Sequence, residues 1–422
     1  MVQKKNMVWL VLLLFALSGC AKNNAKPLCS QENISVTETA TTEAVKTTEA
    51  EDADKKGYNL PINAAKKKEA EDDCLKAAAL VKDLYLENNK EGPVPLLSET
   101  QITAMMDQLE QTGNPVYAEG YHLNMRNYGK MEAFLEQASA GKQSTIVMYE
   151  AHGDGGVGRD EYTFDGKNFY VLYSNVVWKQ KDTPTVAFTS LDRIKNWSYT
   201  QKGWLCLDYC VPEPPEVTEL VNGNVMVRVK PQKEEYRDMA EKYLVPIGYQ
   251  GNNLLCSDWD EAHMQDLDYT GLFEYLYALK NRRPFDAESS DGTIPAGEFE
   301  SLMEEYLPVT TKQLRQYANY DAKADVYEWA KLGCGNYAPN DFGTAYSEIT
   351  DIKENADKTV TFTVDAVCAM KGDDAVMSHQ LTVQLLEGGG VRYLENHILE
   401  DGQDRIPGYQ YRLKKERDYN LK

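Results

Sequence analysis

The first half of the chain places apolar residues at helical spacing and then at the alternating spacing of strands. A capping box, Ser98-Glu99-Thr100-Gln101, opens one predicted helix, and a second begins near Asn127. Their apolar faces contain Ile102, Met105, Met106, Leu109, Met131, Phe134, Leu135 and Ala138. Segments rich in Val, Tyr, Phe and Thr then predict strands over 144–151, 159–164, 168–178, 185–190 and 197–210. The turn Asp165-Gly166 makes two of these strands antiparallel neighbours.

The second half repeats this order of helices before strands. After a short strand over 225–229, helices are predicted over 233–243, 269–279, 297–306 and 311–318, the last with a Thr310-x-x-Gln313 capping box. Long strands are predicted over 345–353, 359–369, 376–386 and 391–399. The pattern predicts an α+β fold of two domains, in each of which helices precede an antiparallel β-meander. By analogy, the second sheet curls as in cystatin-like or nuclear-transport-factor-like folds.

The N-terminus has the pattern of a lipoprotein signal peptide. Lys4 and Lys5 precede an apolar run over 7–15 and the lipobox Leu17-Ser18-Gly19-Cys20. The run is too short for a transmembrane helix, which needs about 20 apolar residues. We therefore expect removal of residues 1–19 and lipidation of Cys20, which would anchor the protein on the extracytoplasmic side of the cell membrane, facing an unknown cell-surface ligand or protein.

Composition divides the rest of the chain. Residues 20–70 are rich in Thr, Ala, Glu and Lys and nearly lack aromatics, which predicts a disordered tether. Prolines at 212, 214 and 215 interrupt the strands and place a boundary there, so we predict domains over 71–215 and 216–415 and a tail over 416–422. The net charge of −21 argues against nucleic-acid binding. No motif calls for a cofactor.

Seven cysteines remain besides Cys20, so at least one must be unpaired, and Cys29 in the tether is the natural candidate. Cys206 and Cys210 lie on one predicted strand, where four residues span about 13 Å, beyond disulfide reach. No Cys-x-x-Cys pair occurs, which leaves redox and zinc-ribbon sites without support.

The segment over 150–161 is the strongest candidate for chemistry. Glu150, His152 and Asp154 come together at the end of a predicted strand, where a loop could present them for acid-base catalysis. The glycines of this segment stand between two strands rather than before a helix, so a phosphate-binding loop is not predicted. A flexible hairpin loop is the alternative explanation.

A second acidic segment contains Asp258, Asp260 and Glu261 and continues to Asp268. Its oxygen ligands could suit calcium, but it lacks the ligand spacing and the glycine of an EF-hand loop. The later aspartates stand just before a predicted helix, where N-capping explains them. Farther along, His379 is in phase with Leu381, Val383 and Leu385, which places it toward the apolar face of its strand.

Several segments resemble an uncharacterised family of surface lipoproteins from clostridia-type gut bacteria. They are the segments 162–166, 242–249, 271–277 and 333–337 together with Tyr409-Gln410-Tyr411. The resemblance covers about 95–411 and implies a surface lipoprotein, but no activity and no functional residues.

Three functions remain open. We favour a membrane-tethered, non-catalytic binding or interaction module, because no recognisable catalytic set is present. The alternatives are a cell-wall or glycan-directed hydrolase that uses the 150–161 segment, and the solute-binding lipoprotein of an importer. Importer receptors alternate strands and helices around parallel sheets, whereas this chain groups its helices and then its strands.

Overall fold

A computed structural model describes residues 55–88, 97–118, 123–180, 183–286, 292–333, 336 and 340–413. The predicted signal peptide, the predicted lipidation site Cys20, and Cys29 lie outside the described residues. Composition predicts a tether as far as residue 70, but helix α1 (Ala64–Leu80) begins inside that segment, capped by the side chain of Asn63. The buried face of α1 consists of the small residues Ala70, Cys74, Ala77 and Ala78. A helix with so few large apolar residues has the composition of a tether, although it packs on the first sheet.

The first sheet contains seven described strands, in the order in which they occur along the chain. They are β1 (Val116–Ala118), β2 (Ser144–Ala151), β3 (Val157–Phe164), β4 (Phe169–Gln180), β5 (Thr183–Tyr199), β6 (Trp204–Tyr209) and β7 (Asn224–Arg228). β1 pairs with β2 in parallel, and each later pair is antiparallel. The predicted hairpin at Asp165-Gly166 is confirmed, and the Asp165 carboxylate closes it by accepting the backbone N–H groups of Lys167 and Asn168.

Helices cover both faces of this sheet. α1 and α2 (Lys82–Asn88) are followed by α3 (Glu99–Glu110) and α4 (Tyr128–Ser139). The capping box at Ser98 is confirmed, as is the burial of the apolar residues predicted for α3 and α4. α1 and α3 share a core with one face of the sheet, whereas the apolar residues of α4 pack on the other face.

Two strand predictions in this sheet are wrong. The predicted strand over 185–190 continues to Tyr199 in β5, and a turn then separates β5 from β6, so the predicted strand over 197–210 is divided between the two. The turn is closed by Thr200, whose side chain accepts the N–H of Trp204, and by Gly203 at a φ of +93°. Because no Pro or Asn-Gly marks this turn, the strand pattern runs through it. β7 pairs with β6, so the first sheet extends past the predicted boundary at 215.

The second half begins with α5 (Glu234–Tyr243), α6 (Tyr269–Asn281), α7 (Ala296–Tyr306) and α8 (Thr311–Tyr317), close to the predicted helices. A four-stranded antiparallel meander follows, formed by β11 (Tyr346–Glu354), β12 (Val360–Cys368), β13 (Asp373–Leu385) and β14 (Val391–Ile398). The predicted α+β fold is therefore confirmed. The sequence pattern did not predict a small third sheet, because its strands have only two or three residues. They are β8 (Thr293–Pro295), β9 (Tyr320–Asp321) and β10 (Val326–Glu328). The short helix α9 (Gly402–Arg405) follows the meander.

His379 on β13 is fully buried, which confirms its predicted place on the apolar face. Its Nε2 lies 3.0 Å from the Tyr249 hydroxyl, and its Nδ1 lies 2.6 Å from the Asn396 side-chain oxygen. Burial lowers the pKa of His379 to about 4, so the ring is neutral at neutral pH. Both ring nitrogens have partners within the core, and the histidine serves the packing of the second half.

Buried polar contacts join the two halves. The Glu348 carboxylate on β11 is 3% exposed and accepts the indole N–H of Trp204 at 2.8 Å. Arg228 on β7 donates to the same carboxylate at 2.5 Å. Lys202, in the turn before β6, pairs with Asp365 on β12 at 2.8 Å. The first sheet thus contacts the second meander through a lysine and an arginine that neutralise two carboxylates, and through a tryptophan that donates a hydrogen bond to one of them.

Candidate functional site

The ionisable residues of the 150–161 segment separate onto the two faces of the first sheet. Side chains alternate along a strand, so Arg159 and Glu161 on β3 face α1, whereas Gly158, Asp160 and Tyr162 face the opposite side. Glu150 lies opposite Gly158 on β2 and therefore shares the face of Asp160. These residues are close in sequence, but the pleat of the strand places them on opposite faces of the sheet.

The residues on the α1 side form a neutralised network. Arg159 is 4% exposed, and its Nε donates to Asp73 of α1 at 2.8 Å while its Nη2 donates to Glu161 at 3.0 Å. Lys66 of α1 pairs with Glu161 at 2.7 Å, and the Tyr149 hydroxyl donates to Asp73 at 3.0 Å. Each of these carboxylates is held between α1 and the sheet, so this network docks the helix.

On the opposite face, Glu150 is 6% exposed and accepts a hydrogen bond from the Tyr117 hydroxyl. Its Oε2 also lies 3.0 Å from Nε2 of His152. Burial and the charges of Glu150 and Asp160 raise the pKa of Tyr117 well above its usual value, so its hydroxyl stays a donor. β1 supplies Tyr117 because it pairs with β2 in parallel and places Tyr117 beside Glu150.

The glycines of the segment make room for His152. A methyl group on Gly158 would lie 2.8 Å from Oε2 of Glu150 and 3.0 Å from Nε2 of His152. A methyl group on Gly156 would lie 3.3 Å from Nδ1 of His152. The turn itself is closed by a bond from the His152 N–H to the Gly156 carbonyl, and the Asp154 side chain accepts the Gly156 N–H at 2.8 Å. Asp154 therefore stabilises the turn, while the imidazole lies over the glycines toward Glu150.

Aromatic rings continue this face beyond the carboxylates. Phe188 on β5 is 51% exposed, and its ring centroid lies 5.3 Å from that of Tyr173 on β4. Tyr173 stands opposite Asp160, which is 4% exposed. Burial and the charges of Asp160 and Asp192 raise the pKa of Tyr209 on β6 well above its usual value. We call this set the tyrosine–carboxylate face, defined by Tyr117, Glu150, Asp160, Tyr173, Phe188 and Tyr209.

A model described as a family of unknown function, DUF6070, matches residues 67–412. The chain belongs to this family. No curated protein and no solved structure was found to match the chain. The match to DUF6070 begins in α1 and ends at Arg412, so it includes both faces of the first sheet and the whole second half. Within the residues that the structure describes, no helix combines the length and apolar character needed to cross a membrane.

The acidic segment near residue 258 is used in hydrogen bonds within the second half of the chain. Asp258 accepts the Ile398 N–H at 2.7 Å and lies 3.2 Å from Nδ1 of His397. Asp260 accepts the N–H groups of Ala262 and His263, and Glu261 is exposed beside it. Over the described ranges, no group of three or more His, Cys, Asp or Glu side chains is placed to hold a metal ion.

Asp268 caps α6, as predicted for the end of this segment, by accepting the Gly271 N–H at 2.9 Å. Its other oxygen accepts the Tyr409 hydroxyl at 2.7 Å and the Arg412 N–H at 3.1 Å. This second role joins residues more than 140 positions apart in sequence, which local patterns do not reveal.

Sequence reasoning missed most of the tyrosine–carboxylate face for a similar reason. Glu150 and Asp160 lie in the segment that attracted attention, and the alternation on β3 was sufficient to separate Asp160 from Arg159. Tyr117 and Tyr209 come from β1 and β6, and only the order of strands in the sheet brings them to the carboxylates.

Proposed function

We propose that the chain is a lipid-anchored, non-catalytic binding protein of the extracytoplasmic membrane surface. Support for the anchor comes from the sequence, in which a basic start, a short apolar run and a lipobox lead to Cys20. The resemblance to surface lipoproteins of gut bacteria supports the same location. The alternative of an importer receptor has less support, because the sheets are antiparallel except for the pair β1 and β2.

Replacing Cys20 by alanine tests the anchor. In a bacterial host that processes lipoproteins, the native chain is expected in the membrane fraction and to incorporate a labelled fatty acid. The Cys20→Ala variant is expected to lose the label, because it has no thiol to carry the diacylglyceryl group that contains the fatty acids. Cys29→Ala is the matched control and should behave like the native chain. Equal labelling of the Cys20 variant and the native chain would contradict lipidation at Cys20.

The observation that carries the binding function is the separation of the 150–161 segment onto two faces. Arg159 and Glu161 are neutralised against α1, whereas Glu150 accepts a hydrogen bond from Tyr117 and lies beside His152. A hydrolase that used Arg159 together with Glu150 would need both groups around one reacting bond, but here the arginine lies on the other side of the sheet. On the face of α4, rings and carboxylates continue from the buried Glu150 and Asp160 to the half-exposed Phe188, and this arrangement suits binding at its exposed end.

The chemistry of this face favours a ligand with an ammonium group. Carboxylates attract a cation, and the rings of Tyr173 and Phe188 offer their negative faces to it. Phe188 is half exposed at the rim, whereas Glu150 and Asp160 lie deeper. A primary amine of a peptide or an amino sugar therefore fits this arrangement better than a neutral or acidic group.

Thermal unfolding of the full chain in detergent tests this function with trilysine and glucosamine as probes. A ligand at a hundred times its Kd adds about 2.7 kcal/mol, which raises Tm by a few degrees. Phe188→Ser should abolish the shift because it removes the exposed ring. Leu220→Ser is the control, since Leu220 is 87% exposed and lies outside the face.

Two outcomes would contradict this proposal. N-Acetylglucosamine has no ammonium group, so a shift equal to that of glucosamine would refute recognition of the cation. Hydrolysis of a glycan or peptide that disappears in His152→Ala or Glu150→Gln would refute the non-catalytic function and favour the hydrolase.

A further inference from the structure

A concave surface on the first sheet has a charge opposite to that of the tyrosine–carboxylate face. It is formed where the turn after β3 meets β5, and its volume is about 410 Å³. Its lining residues are Lys167, Asn168, Phe169, Arg193, Ile194, Lys195, Asn196, Trp197 and Cys210. We call this surface the basic cleft. Its volume is within the range of sites that hold small molecules, about 300–1,000 Å³.

The charge of the cleft contrasts with that of the chain. The lining contains three cationic side chains and, among the described residues that form it, no carboxylate. The chain as a whole has a net charge of −21. A local concentration of positive charge in a concave surface attracts anions, because the low-dielectric walls focus the field.

Two carboxylates near the cleft are engaged in hydrogen bonds. Asp165 accepts the backbone N–H groups of Lys167 and Asn168, and these bonds lower the pKa of Asp165 below its usual value. Asp208 accepts the side-chain amide of Asn196 at 3.1 Å. Both side chains orient the backbone or an amide of the lining, and the lysines themselves are exposed.

Arg193, one of the lining residues, is held by the chain that precedes α1. Its N–H donates to the Gly57 carbonyl at 2.7 Å, and its own carbonyl accepts the Cys210 N–H at 3.0 Å. A methyl group on Gly57 would lie 2.9 Å from Nη2 of Arg193 and 2.8 Å from Sγ of Cys210. Because Gly57 packs this closely, the guanidinium has a defined position, whereas the two lysines at the rim are long and adaptable.

We propose that the basic cleft binds a phosphoryl group. The two lysines supply the point charges that a multiply charged anion needs, and the guanidinium of Arg193 adds a third positive charge to the lining. The half-buried indole of Trp197 offers an apolar wall to whatever carries the phosphate. This site is independent of the tyrosine–carboxylate face, whose charge would repel the same ligand.

Calorimetric titration of the full chain in detergent tests the proposal with glycerol 3-phosphate and with glycerophosphoglycerol. These probes carry a phosphomonoester and a phosphodiester, so their relative affinities distinguish a small phosphorylated molecule from a unit of a phosphodiester polymer. Lys167→Gln and Lys195→Gln are each expected to weaken the better probe about tenfold, the usual size of one lost charge-assisted hydrogen bond. Affinity should also fall as salt is added.

Lys353→Gln is the matched control, because Lys353 is an exposed lysine on β11 in the other half of the chain. It should bind the probes like the native chain. Since all three lysines are exposed, the three variants are expected to keep the native Tm, and a lost affinity then reports the cleft. Failure of both probes to bind at millimolar concentration, or equal affinity in all variants, would overturn the proposal.

Discussion

Replacing Arg412 by methionine is expected to lower the free energy of unfolding by about 3–5 kcal/mol, the usual loss when one partner of a buried ion pair is removed. The Arg412 side chain is fully buried, and its Nη2 donates to Glu274 of α6 at 2.6 Å. Its Nε also donates to the Gly251 carbonyl at 3.1 Å. Methionine fills part of the volume, but it leaves the Glu274 carboxylate and the Gly251 carbonyl without their donor.

Urea unfolding of the native chain and the variant measures this loss. Arg405→Met is the matched control, because Arg405 pairs with Asp373 at 3.1 Å where the two side chains are 44% and 38% exposed. Such a surface pair contributes less than about 1 kcal/mol. Similar losses in the two variants would mean that the segment after α9 is not part of the core. A large loss for Arg412 alone would show that this segment holds α6 in place, and would explain why the family match reaches residue 412.

Replacing Gly271 by alanine is expected to cost about 3 kcal/mol or more, although alanine is the better helix former. A methyl group on Gly271 would lie 2.2 Å from the Gly251 carbonyl oxygen and 3.2 Å from the Asp268 carboxylate. The first of these atoms belongs to the backbone and cannot rotate away. Overpacking of a core costs about 1–3 kcal/mol, and displacing a backbone segment that also binds Arg412 should exceed that range.

Gly297→Ala is the control that separates packing from helix propensity. Gly297 lies in the first turn of α7, and a methyl group there would meet no atom within 4 Å. Alanine should therefore stabilise the chain by up to about 1 kcal/mol, as it does in an open helical position. Opposite signs for the two glycines in thermal unfolding would confirm the close contact at Gly271. If both variants gained stability, the approach of α6 to Gly251 would be looser than the structure shows.

Gly271 and Arg412 also show that local sequence patterns do not predict contacts between residues far apart in the chain. Gly271 belongs to one of the segments that carry the family resemblance, and its place in a helix follows from the apolar spacing of Leu272 and Phe273. The reason for a glycine there is an atom of Gly251 twenty positions earlier, in a segment without regular structure. The sequence therefore predicted the helix, but not the contact that excludes a side chain.

The amino-acid sequence by itself determined the elements whose signals are local. Capping boxes at Ser98 and Thr310 and apolar residues at helical spacing specify the main helices, because they satisfy backbone groups or line one face within a few residues. The alternation on β12 specifies an antiparallel strand with one buried face in the same way. The predicted lipidation of Cys20 also rests on a local pattern.

Tertiary structure alone decided which residues meet. The pleat of β3 separates Arg159 from Asp160, and the parallel pairing of β1 brings Tyr117 to Glu150. The packing of Gly57 against Arg193 holds one lining residue of the basic cleft, and the return of the chain brings Arg412 to Glu274. Each of these contacts joins residues on different elements or opposite faces. Their partners are set by strand order and by the burial of the sheet faces, which depend on the whole chain rather than on neighbouring residues.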